Sequence, residues 1–216
     1  GGTSIGGGTV IIKSDSALGT APASPATNLT FTASGNLRQD GTISALTLDA
    51  NRSIVINTGA TATFNANGAA NVLTINGSIS NQSNTGILNL VTSGTSATTG
   101  TVVLAGSNTF AADSTIALGG GNNLGGGILR LAHNNALGGN AIVINGNAGG
   151  GNALGEAAVE LAGGITIGSN VTYNIAGHTN DATALRDNFR NYSGNNTFNG
   201  TIRITTTGGS YQIDSA

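Results

Sequence analysis

The sequence predicts an all-β protein built as a β-solenoid, a stack of coils whose strands pair in parallel along one axis. Three observations lead there. A phrase of glycines, a short apolar strand, a polar stretch and Ala-Leu-Gly recurs, from Gly8 to Gly19 and from Gly127 to Gly138, with an echo at Asn152-Ala153-Leu154-Gly155. A second phrase appears as Ala105-Gly106-Ser107-Asn108-Thr109-Phe110 and as Ser193-Gly194-Asn195-Asn196-Thr197-Phe198. The chain also holds 36 Gly in 216 residues and only 4% aromatics, which suits a narrow interior reached by many tight corners.

Alternation of apolar with small or polar residues places strands at 9–13, 28–32, 42–48, 53–57, 71–76, 87–91, 101–105, 114–118, 128–132, 141–145, 157–162, 164–167, 171–175 and 201–205. They recur without an obvious hairpin partner, and each has one apolar face, so stacking into coils accounts for them better than meanders do. Asn-Gly pairs at Asn67-Gly68, Asn76-Gly77, Asn145-Gly146 and Asn199-Gly200 supply corner residues that tolerate positive φ. Inward positions are assigned to Val10, Ile12, Leu129, Leu131, Val143 and Val159.

Hydrophobic residues make up 38% of the chain, enough for a folded core, with the Gly and Asn clustered as punctuation instead of spread as in a linker. A net charge of −2, with 7 Lys+Arg and no basic run, offers little to a phosphate backbone, so nucleic acid is not an expected partner. Without cysteine there are no disulfides or thiolate metal sites. No apolar run reaches the ~18 residues of a membrane-spanning helix, so this segment is not expected to insert in a membrane. The chain opens on Gly1 with neither Met nor signal-peptide character and reads as a processed product or a segment of something longer.

Leu73-Thr74-Ile75-Asn76-Gly77-Ser78-Ile79, followed by Leu104-Ala105-Gly106-Ser107-Asn108-Thr109-Phe110 and then by Gly127-Ile128-Leu129-Arg130-Leu131 and Ala136-Leu137-Gly138, resembles the autotransporter-associated β-strand repeat of long bacterial surface and secreted proteins. The stretch from Asn191 to Ile202 resembles the start of another copy. The resemblance implies a right-handed parallel β-helix in an extracellular, cell-surface protein. Two places depart from the family pattern, Ala111-Ala112-Asp113-Ser114-Thr115 and 92–100, and loops are expected to protrude from the coil at both.

Chemistry-bearing residues are few. His178, Asp181, Arg186, Asp187 and Arg190 form the densest ionisable cluster; a β-helix polysaccharide lyase or hydrolase would need such groups on one face. Leu185, Phe189 and Tyr192 fall at helical spacing there, which favours a solvated loop or short helical excursion. Glu156 and Glu160 read as a surface pair, because catalytic carboxylates that flank a sugar bond normally come from different strands. The glycine runs at 119–121 and 125–127 lack the Lys-Ser/Thr of a phosphate loop and the Asp of a calcium-binding nonapeptide repeat. His133 and His178 read as surface residues, not zinc ligands. The threonines at 30–32, 61–63 and 205–207 are too irregular for an ice-binding face and reflect β-propensity. Sequons at Asn28, Asn51, Asn76, Asn81, Asn170, Asn191, Asn195 and Asn199 arise naturally in so Asn- and Thr-rich a chain.

The sequence thus points to one solenoid segment over 1–216, without catalytic, cofactor or metal residues, serving as a structural or adhesive part of an extracellular surface protein or fibre. Its expected partners are further coils, either in the same chain or by end-to-end self-association, and surface glycans. A carbohydrate-active β-helix enzyme and an ice- or glycan-binding module are the alternatives.

Overall fold

The computed structural model describes residues 2–68, 70–82, 87–91, 100–118, 127–146, 158–175, 189–205 and 213–215. They form a parallel β-solenoid with three faces, and every strand pairing among them is parallel. The first face stacks Thr3–Ile5, Ala26–Phe31, Arg52–Ile56 and Ile79–Asn81. A bridge from Ser80 to Thr109 continues it, and the pair Thr166–Ile167 and Thr197–Phe198 completes it. The second face has eight strands, from Thr9–Ile12 to Thr201–Ile204, and the third has seven, from Ala45–Leu48 to Ile213–Ser215. Register partners in successive coils lie 24 to 31 residues apart in sequence.

The interior is a set of aliphatic columns. Leu46, Leu73, Val102, Leu129, Val159 and Phe189 are successive register partners on the third face, and all are buried. Phe31 and Phe64, both buried, meet edge to face at 5.5 Å in this interior. Val10 packs against this core, and Ile12, Leu129, Leu131 and Val159 are buried as expected. Val143 is not: Ile142 and Ile144 point inward, and Val143 lies on the outer face in register with Thr115 and Thr172. The run 141–145 is apolar at three successive positions, so alternation alone did not fix its phase.

The recurring phrases have recurring structures. In both Ala-Leu-Gly segments the chain makes the same tight turn: Ala17 and Gly19 donate main-chain hydrogen bonds to Ser14 and Ser16, and Ala136 and Gly138 donate to His133 and Asn135. The leucine is tucked inward in each, and the closing Gly19 and Gly138 take φ of 85° and 70°. The first turn is a 3-10 helix, Asp15–Leu18, that takes the place of a third-face strand. The second follows the third-face strand Ile128–Leu131, so one motif serves two different corners.

The Asn-Gly pairs split by role. Asn67 and Gly68 have φ of 32° and 145°, whereas Gly146 closes a second-face strand. Gly77 is a glycine for lack of space: a Cβ there would sit 2.0 Å from the Arg52 carbonyl oxygen, and one on Gly106 would sit 2.4 Å from that of Gly77. The two are stacked at one corner where successive coils touch through bare backbone. Ala111–Asp113 is also no protruding loop. Ala111 N–H donates to Asn81 Oδ1 at 2.6 Å and Asp113 N–H to the Ala141 carbonyl at 2.7 Å, which holds the turn between its neighbours. Residues 92–99 of the other departure lie outside the described residues.

Candidate functional site

The outer surface of the third face carries the chain's densest described group of charges. One column there runs Thr47, Thr74, Val103, Arg130, Glu160, Arg190 and Asp214, each the register partner of the next. Arg130 Nε donates to Glu160 Oε2 at 2.7 Å, and Arg190 donates from the other side to Oε1. Glu160 is 1% exposed, unusual for a carboxylate on an outer face. Both its oxygens accept from guanidiniums, an arrangement that fits structural pairing.

Tyr192 extends the group. Its ring lies over the Arg130 guanidinium, 3.5 Å from centroid to Cζ, and 5.4 Å from that of Arg190. It reaches there because the ladder shifts at this point: Asn191 pairs with Leu161 and Ser193 with Ala162, so Tyr192 is the extra residue of a β-bulge. The phenol bridges across the coil that bears Glu160.

Several sequence expectations are corrected here. Phe189–Ser193 is a strand, not a helical excursion; Phe189 fills the inward column and Tyr192 the bulge, so their helical spacing is coincidental. Glu160 belongs to no surface pair, and Glu156 lies outside the described residues, as do His178, Asp181, Leu185, Arg186 and Asp187. Of the ionisable cluster only Arg190 is placed. Burial of a lone Glu on an outer face had no signal along the chain, because its partners are whole coils away.

His133 stands in the Ala-Leu-Gly turn, where its Nδ1 accepts the Asn135 N–H at 3.0 Å. The glycine run at 119–126 lies outside the described residues, and among those described no three His, Cys, Asp or Glu could share a metal. On the second face Thr63 falls in an outward column with Thr9, Asn36, Ala117, Asn145, Asn174 and Arg203. That column mixes amides and hydroxyls, with Asn174 Nδ2 donating to Asn145 Oδ1 at 2.8 Å, instead of repeating threonine. Thr30 faces outward on the first face, and Thr32 Oγ1 donates to the Ile5 carbonyl.

A second buried charge was invisible in the sequence. Arg52 is fully buried; its Nε and Nη2 donate to the two Asp15 carboxylate oxygens, each at 2.8 Å, Nη2 also reaches the Gly19 carbonyl at 2.9 Å, and Nη1 donates to Asn28 Oδ1. The Arg52 hydrogen bond holds the Asp15 carboxyl below its usual range against the opposing effect of burial, aided by the Asp49 N–H and the Arg52 charge. This pair fastens the 3-10 turn to the first face of a later coil.

No protein-family model matches the chain, and no curated protein or solved structure matches it either. No described helix is long and apolar enough to cross a membrane.

Proposed function

We propose that the chain is a non-enzymatic structural and adhesive segment of an extracellular bacterial surface protein or fibre. The observation that carries this reading is the outward column of the second face, where Thr9, Asn36, Thr63, Asn145 and Asn174 present hydroxyls and amides from parallel coils and Arg203 ends the column. Such a column suits the hydroxyls of glycans, while the ladders behind it resist extension along the axis. The likeness of the repeated phrases to the autotransporter-associated repeat supports the surface location. Continuation of the stack, within a longer chain or between copies, is supported by Ile204 and Ile213: they lie in inward columns yet are 55% and 63% exposed, the surface a further coil would cover.

The test is a paired screen of the purified chain against pectins, alginate and peptidoglycan for binding and for turnover, with light scattering and electron microscopy for axial assembly. Retention without turnover is expected. Turnover abolished by Asp181→Ala or Asp187→Ala would overturn the reading in favour of a carbohydrate-active enzyme.

A further inference from the structure

The third-face column ends its alternation of charge at Arg130. On one side Arg130 meets Glu160; on the other the register partner is Val103, 7% exposed, followed by Thr74. Glu160 is shared with Arg190, and Arg190 has Asp214 as its next partner in the column, so the far end is matched in charge and the Arg130 end is not. Among the described residues Arg130 makes no hydrogen bond beyond the one from Nε, which leaves its Nη donors uncommitted, and its side chain is 17% exposed. Tyr192 is 42% exposed although its ring is packed on that guanidinium. A bulged residue is aimed where regular alternation would not send it, and here the bulge delivers an aromatic ring beside a cation that a buried carboxylate holds in place.

We propose that Tyr192 and Arg130 form a binding site for an acidic sugar, a hexuronate unit of a polysaccharide. The C–H face of the pyranose packs on the exposed part of the Tyr192 ring, and the uronate carboxylate takes the Nη edge of Arg130 above Val103. Glu160 is the positioning residue: bound to Nε, it turns the Nη edge away from the Arg190 side. The site rests on the adhesive reading and gives it a ligand class and a location.

The experiment titrates the whole chain with oligogalacturonate and with its methyl-esterified, uncharged counterpart, by calorimetry and by NMR of the tyrosine rings. Saturable binding of the acid form is expected, weakening with salt and exceeding the ester by about tenfold or more. Tyr192 ring signals should shift at saturation. Tyr192→Ala should lower affinity by a similar factor, and Tyr192→Phe should retain it. Failure of the acid form to bind, equal binding of the ester, or Tyr192 signals that stay put at saturation would each overturn the site, and these readouts on the native chain hold whether or not the alanine variant folds. Retention of polysaccharides with unmoved Tyr192 signals would refute this site while leaving the adhesive reading standing; no retention of any polysaccharide would refute both.

Discussion

The side chain of Asn108 accepts the main-chain N–H of Ile79, one coil away, at 2.8 Å, while the N–H of Thr109 donates to the Ile79 carbonyl at 2.9 Å. The peptide groups of Ile79 are thereby held from both ends by two successive residues. Asn196 and Thr197 treat Ile165 in the same way, at 2.8 Å for each bond. The recurring Asn-Thr-Phe phrase is thus a clamp for the coil before it. Asn108 goes further and donates from Nδ2 to the Ala136 carbonyl at 2.6 Å, so it ties together neighbours on both sides.

Asn108 is 2% exposed, and its removal would leave a buried N–H and a buried carbonyl without partners. Asn108→Ala should destabilise the protein by about 2 kcal/mol or more, measured by denaturant unfolding. Asn196→Ala, at a half-buried position, should cost clearly less.

Inward phase can be read by charge insertion. Leu131→Asp and Ile144→Asp would each bury an unpaired carboxylate in a narrow core and should abolish the folded state or lower Tm drastically, at several kcal/mol each. Val143→Asp, one residue from Ile144 but on the outer face, should leave the thermal transition nearly where it was. Equal damage at 143 and 144 would contradict the register.

The Arg52 pair makes a prediction about acid. Because the Asp15 carboxyl is depressed in the folded state, its contribution is complete above the ordinary carboxylate value and is lost as pH falls through the depressed value. The stability gap between the native chain and Asp15→Asn should therefore be constant near neutrality and narrow in acid, read by Tm across a pH series. Arg52→Met, which takes its charged hydrogen bonds from the part-exposed Asp15 carboxylate, should cost about 1–3 kcal/mol at neutral pH.

Gly77→Ala would force a methyl against the Arg52 carbonyl and should cost about 1–3 kcal/mol through displaced backbone. Gly168→Ala, where a Cβ meets nothing within 4 Å and φ is not positive, should be neutral or slightly stabilising. Urea midpoints of the two variants give the comparison.

What the sequence disclosed was what lies within a few residues. Alternation located strands such as Ser114–Leu118 and Val171–Ile175 at their true bounds, and the repeated phrases announced the turns and clamps. Strands too short or too polar to alternate visibly, Thr3–Ile5, Gly35–Gln39 and Phe189–Ser193 among them, gave no such signal, because their pairing energy comes from the coils on either side. The same reason hid Glu160, whose partners Arg130 and Arg190 are each 30 residues distant, and it hid Arg52, 37 residues from Asp15. Of the Asn-Gly pairs, Asn67-Gly68 is a positive-φ corner, whereas Gly77 and Gly200 are selected by the crowding of a neighbouring backbone, which leaves the same mark in the sequence.

Coils of similar length with interchangeable aliphatic interiors carry little information about their own order, and a nascent chain could dock a strand one level too far along at small hydrophobic cost. The outer column of the third face supplies that information. Were a coil skipped, Arg130 would oppose Arg190, or Glu160 would oppose Asp214, like charges at strand spacing with no counter-ion between them. The alternating signs work as a sorting key for the last four levels of the column: they penalise a stack in which a single one of those coils is skipped.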